Sequence, residues 1–180
     1  MMPIGPLMIE HRLTDRMIAL LKKESRGMEE GRVDILLIEA AVGFFTTYVD
    51  MCHHGKEEEI LFKGLAGRGI SPEHRSIMNE LIEEHERARE IVSGLDRAKD
   101  KYAQGSAGAL AEMREKIMEM TGLYPAHIGK EDARFFIPSM SYFSKVEQSA
   151  MLSEMREFDR QLIHKVYRDV VERFEKRKAE

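Results

Sequence analysis

His53-His54-Gly55-Lys56-Glu57 and His127-Ile128-Gly129-Lys130-Glu131 are two copies of one phrase, 74 residues apart. In each copy a His and a Glu stand four residues apart, which on an α-helix puts both side chains on one face, roughly 40° apart around the axis. The same offset carries Glu10-His11 onto Glu84-His85. One register therefore ties together four histidines and two glutamates.

Outward from these phrases the chain reads as helical, with apolar residues at three- and four-residue spacing and no stretch of strict alternation. A first helix is predicted from about Pro6 to Arg26, with Leu7, Leu13, Met17, Leu20 and Leu21 on an inward stripe and a stop near Gly27. The second spans about Val33 to Leu65 and runs into the glycine-rich turn Gly64-Leu-Ala-Gly67-Arg-Gly69. Ser71-Pro72 reads as an N-cap followed by proline in the first helical position, so the third helix runs from there to about Tyr102. Past Gln104-Gly105-Ser106-Ala107-Gly108, a fourth extends from Ala109 to about Arg134, interrupted or kinked near Pro125 and closed by Pro138. Ser144 and Glu147 have capping-box spacing ahead of a long amphipathic helix over about residues 144–178, ending in the charged Glu175-Lys-Arg-Lys178 tail.

The expected fold is all-α: an up-down-up-down four-helix bundle over about residues 6–138 with an additional long C-terminal helix, in one domain over 1–180. Depth along the bundle supports a common site. His11 lies about 16 residues before the Gly27 turn and His53 about 20 after Val33, so at roughly 1.5 Å per residue their depths differ by about one turn. His85 and His127 stand in the same relation to the second hairpin. All four histidines can thus converge on one level.

Composition narrows the field. The 180 residues are 43% hydrophobic with a formal charge of −4, and the pI near 6.0 gives no basic footprint for nucleic acid. No run approaches the roughly 18 apolar residues of a membrane span and no signal peptide precedes the first helix, so a cytoplasmic protein is expected. The single cysteine, Cys52, excludes an internal disulfide or thiolate cluster, so any metal takes nitrogen and oxygen ligands.

Convergent imidazoles and carboxylates from four helices are how bundles build dinuclear centres, and this donor set suits iron, manganese or zinc. The two-fold relation favours two ions, each half supplying two histidines, with Glu57 and Glu131 placed to bridge. Neither His53 nor His127 follows a Glu at the Glu-x-x-His spacing of ferritin-like sites, and the His-Glu-x-x-His zinc-protease motif is absent.

This pattern, one His followed by His-x-x-x-Glu and given twice, resembles the hemerythrin-like or HHE cation-binding family over about residues 7–138. The resemblance implies a metal-ligand set of His11, His53, Glu57, His85, His127 and Glu131, and the segments Glu-Ile-Leu-Phe62 and Arg-Phe-Phe136 are similar to the apolar stretch that follows the family's glutamates. It further implies two iron ions that meet oxygen, peroxide or nitric oxide, with family members acting as oxygen binders, as oxygen or iron sensors, and in stress responses. Oxygen-carrying relatives have a further histidine one turn before the third-helix ligand, where this chain has Leu81. One more open coordination position would follow, favouring reactivity or sensing over carriage. His54 has no mate in the second half, where Ile128 stands.

Several residues near the ligands have two readings. His54 is either an added ligand or a packing residue pointing roughly 100° from His53. Asp15 and Asp50 lie one turn from His11 and His53 and are either acceptors for ring N–H groups or surface acids. Tyr124, one turn before His127, either brings a hydroxyl towards the metals or packs in the core. Gly55 and Gly129 fall on the far face of their helices, where close packing is expected. Cys52, His74, His164 and most of the 13 methionines read as structural.

Two other functions compete with the small-ligand site. One is a metal-stabilised sensor or interaction module whose C-terminal helix, about Lys145 to Lys176, meets a partner or a second copy in a homo-oligomer. The other is a di-iron oxidoreductase of stress response or iron-sulfur repair.

Overall fold

The computed structural model describes the backbone of residues 2–179 and the side chains of residues 2–162, so His164 and the charged tail lie outside the described side chains. Among the described residues there is no strand. Helix α1 spans Ile4–Glu29, α2 spans Ile35–Ala66, α3 spans Pro72–Ala103, α4 begins at Ala109–Lys130 and continues to Ser139, and α5 spans Lys145–Ala179. Helices α1 to α4 form the expected bundle, each contacting the next and α4 closing back onto α1, while α5 lies along α2.

Local chemistry explains the ends. The Asp34 side chain caps α2 by accepting from the Leu37 N–H at 3.1 Å, and Ser71 caps α3 by accepting from the His74 N–H. The capping box at α5 is present in both directions: the Ser144 N–H donates to Glu147 Oε2 at 2.7 Å and the Glu147 N–H to Ser144 Oγ at 3.3 Å. The helix expected to be interrupted or kinked near Pro125 runs through it as α-helix, and it ends at Ser139, one residue past Pro138.

The inward stripe of α1 differs from the predicted one. Ile4, Leu7, His11, Thr14, Ile18, Leu21, Ser25 and Met28 are buried, whereas Leu13 and Leu20 are exposed. Polar residues occupy the middle of the stripe, so a purely apolar template fits the wrong face. The same 74-residue offset then maps Ile4, Leu7, His11, Thr14, Ile18 and Leu21 onto Met78, Leu81, His85, Ala88, Val92 and Leu95, all buried on α3. The repeat thus covers the packing as well as the ligands.

Helices α2 and α4 match only in part. Residues Phe44–His54 and Glu57–Phe62 of α2 are wound as π-helix, with i to i+5 bonding and more residues per turn, whereas α4 repeats only the second stretch, at Glu131–Phe135. Upstream of His53 the buried residues of α2 run back through Val49, Phe45 and Ala41 in steps of four, reaching Ile38 three further on, while α4 buries Tyr124, Met120, Ile117 and Met113 at alternating three and four. The wider winding rotates each residue less about the axis. His53 and His54 therefore both turn inward, and Asp50, the counterpart of Tyr124, moves off the face.

One expectation fails on α2. It holds an 18-residue window of mean hydropathy 1.6, 22% of it buried, long and apolar enough by length and composition to cross a membrane. In the bundle its Ile38, Ala41, Phe45 and Val49 pack inward. Two apolar clusters result. One contains Leu7, Leu61, Phe62, Leu81, Phe135 and Phe136 with Met151 and Met155 of α5, the other Ile18, Leu21, Phe45, Val92, Leu95 and Tyr124. Between them lies a layer of ionisable side chains.

Candidate metal centre

The layer holds His11 from α1, His53, His54 and Glu57 from α2, His85 from α3, and His127 and Glu131 from α4, all buried. Two groups of donor atoms converge: His11, His53, Glu57 and Glu131 in one, His54, Glu57, His85 and His127 in the other. Glu57 belongs to both. Its Oε1 is 3.3 Å from His53 Nε2 and its Oε2 3.3 Å from His85 Nε2, so the carboxylate spans the groups. Glu131 Oε2 spans likewise, 3.0 Å from His11 Nε2 and 3.4 Å from His127 Nε2.

Both oxygens of Glu57, both oxygens of Glu131, Nε2 of His85 and His127 and Nδ1 of His54 are buried without a hydrogen-bond partner. A buried polar atom left unpaired costs about 1–3 kcal/mol, more if charged. Seven such atoms within one layer are a donor set for cations, and nitrogen with carboxylate oxygen is the chemistry that borderline divalent metals prefer.

The opposite ring nitrogens are held from outside. His53 Nδ1 meets Glu10 Oε2 at 2.8 Å and His127 Nδ1 meets Glu84 Oε2 at 2.8 Å. His11 Nδ1 meets Asp132 Oδ1 at 2.9 Å and His85 Nδ1 meets Glu58 Oε1 at 2.7 Å. With each Nδ1 held outward by a carboxylate, each Nε2 points into the layer, where those of His11 and His53 lie 3.0 Å from each other. Glu10 with Glu84, and Glu58 with Asp132, are again 74 residues apart, as are the phenylalanines that stack on two of the rings: Phe136 on His11 at 5.6 Å and Phe62 on His85 at 5.9 Å. The lysine of each phrase backs a carboxylate, Lys56 on Glu10 and Lys130 on Glu84.

Charge within the layer balances by pairing. Burial alone would push the His11 imidazole down, but Glu131 against its Nε2, with Glu57 and Asp132 nearby, holds it up at about 9. His85 is likewise opposed by burial and raised to about 9 by Glu57 and Glu58. Burial opposes ionisation of Glu57 too, and the surrounding His53, His85 and His127 outweigh it, bringing its pKa to about 2. His54 goes the other way. Burial and the neighbouring His85, His53 and His127 push it well below the ordinary value, so its ring is neutral and able to donate a lone pair.

Each sequence-predicted residue now has a place. His54 faces the interior, stacked on His85 with ring centroids 3.8 Å apart and planes at 12°. Asp50 pairs with Arg89 at 2.7 Å and lies 3.5 Å from His54 Nδ1. Tyr124 is buried beside Phe45 with centroids at 4.7 Å. Asp15 is exposed, the inward position being taken by Thr14, so it is not an acceptor for the site. Leu81 is a core residue of the cluster that contains Leu7 and Phe136. Gly55 is closely packed, since a Cβ there would lie 2.8 Å from the Phe158 ring of α5, but Gly129 has open space around it. Cys52 Sγ donates to Asp159 at 3.2 Å, and burial followed by Asp159 raises the thiol to about 12, an inert form. His74 Nδ1 meets the Tyr142 hydroxyl at 2.7 Å, a structural role.

A third trio, Glu10, Cys52 and Asp159, also comes close enough to hold a cation. The Lys56 ammonium already occupies it, bonded to Glu10 and 2.9 Å from Asp159.

Comparison with known proteins agrees with the geometry. No curated protein and no solved structure matches the chain. A family model does, the hemerythrin HHE cation-binding domain, over residues 2–137, which encloses both histidine groups and both carboxylates. The chain therefore belongs to the hemerythrin HHE cation-binding domain family.

Proposed function

We propose that this chain holds two iron ions and that oxygen, peroxide or nitric oxide reacts there. The observation that carries the proposal is the buried layer of seven side chains, five of which carry polar atoms with no hydrogen-bond partner. His11 and His53 would hold one ion, and His54, His85 and His127 the other. Glu57 and Glu131, each lying between imidazoles of both groups, would bridge. His54 changes the count expected from Leu81: five imidazoles are present, the fifth supplied by α2 instead of α3, and they divide two and three. The less crowded side is at His11 and His53.

When bound, two ferrous ions supply the electrons that a small oxidant takes up. The protein residues do the rest. Glu10, Glu58, Glu84 and Asp132 fix the imidazole rings and their tautomers, and the two apolar clusters exclude bulk water from above and below. An optical spectrum of iron-loaded protein in reduced, air-oxidised and nitric-oxide-treated states tests the reading. Ligand-to-metal absorption in air with measurable oxygen uptake is expected, and its absence from a fully loaded sample would overturn the proposal.

The same burial favours a second reading, in which the ions mainly hold the fold together, because without cations the layer keeps unpaired acceptors inside the bundle. Large stabilisation by metal with no oxygen uptake would select that reading.

A further inference from the structure

Above His54, between α2 and α3, a cleft of about 270 Å³ opens from the surface towards the second histidine group. Val42, Phe45, Ala88 and Val92 form its apolar walls, and His54 and Tyr124 close its inner end. A cavity of about 150 Å³ holds a benzene ring, so this volume accommodates one ring with a substituent. The Tyr124 side chain is only 3% exposed, yet its hydroxyl has no hydrogen-bond partner among the described residues. Burial raises its pKa, so it remains a protonated donor.

The rim decides the charge of the occupant. Arg89 is charge-paired, its Nε donating to Asp50 and its Nη2 to Glu58, both at 2.7 Å. Asp96 is paired with Lys99 at 2.7 Å. Among the described lining residues the cation already has two acidic partners, and a carboxylate at the inner end would meet Asp50 at the His54 ring. A neutral molecule fits: an apolar ring against Phe45 and Val92, with one polar head for Tyr124.

We propose that the cleft is a binding site for a neutral single-ring hydroxyl compound of the phenol class, an organic partner of the metal centre that rests its hydroxyl beside Tyr124 and the His54 ring. The inference rests on the metal reading only in that an ion holds His54 at the inner end. Binding is measured on zinc-loaded protein, which has no redox chemistry, by ¹⁹F NMR titration with 4-fluorophenol, while zinc is counted per chain.

Saturable binding is expected below about 10 mM, with 4-fluorobenzoate at least about tenfold weaker. Tyr124→Phe should weaken binding about three- to tenfold and Val92→Trp should abolish it. Thr46→Trp, at an exposed rim position where the fold tolerates bulk, should lower affinity at least about tenfold at unchanged zinc content and melting temperature. Lack of saturation, equal binding of the benzoate, or unchanged affinity in both tryptophan variants would each overturn the site. A zinc count below two with phenol binding intact would instead count against the metal reading and leave the cleft standing.

Discussion

The two lysines of the repeated phrase should differ in what their removal costs. Lys56 is completely buried, with its ammonium between Glu10, 13% exposed, and Asp159 of α5, 41% exposed. Lys56→Met would leave Glu10 short of its cation just where that carboxylate holds His53. Breaking a fully buried pair from one side costs about 3–5 kcal/mol. The partial exposure of Asp159 lets water take over some of the loss, which lowers the expectation to about 2–3 kcal/mol. Lys130 sits between Glu80 and Glu84 at the surface, and Lys130→Met should cost less than about 1 kcal/mol. Urea unfolding of both variants, loaded with the same metal and checked for equal metal content, measures the difference. Equal penalties, or a larger one at Lys130, would refute the claim that α5 makes the two halves energetically unequal.

The paired glycines give a parallel contrast: Gly129→Ala should raise the melting temperature by the equivalent of up to about 1 kcal/mol of helix propensity, while Gly55→Ala should lower it by forcing Phe158 to shift. Ser71→Ala, removing the cap that accepts from the His74 N–H, should cost about 1 kcal/mol in the same assay. Arg68 and the Ser144 cap bring the Glu147 carboxyl down to about 2. The stability it contributes is therefore fully present above its unfolded value near 4.5 and is lost as pH falls towards 2. The deficit of Glu147→Gln in urea unfolding should be constant above about pH 5 and shrink below it, and a deficit that grows on acidification would contradict this assignment.

Much of the centre was legible because a single offset of 74 residues governs it. Four helices, their order and six of the seven inward side chains follow from the paired phrases and the turns between them. The supporting carboxylates obey the same offset, as do the stacked phenylalanines, and were missed because a ligand search asks which residues touch a metal, not which residues hold the ligands. His54 was ambiguous for a different reason. At the ordinary 3.6 residues per turn it points away from His53, and only the π-winding of Phe44–His54 brings both rings inside. The inward stripe of α1 was misread at Leu13 and Leu20 because His11 and Thr14 occupy inward positions that an apolar pattern skips. Nothing in the repeat announced that α5 would cover Gly55 and Lys56 alone, since that contact comes from outside the duplicated segment.

Two donor groups in one layer offer places for two ions. Iron per chain, measured by elemental analysis on purified protein reconstituted anaerobically, tests this most directly. Two iron ions per chain are predicted, falling to about one in His85→Leu, which removes an imidazole from the three-histidine group only. A ratio of one or less in the unaltered protein would contradict a dinuclear centre.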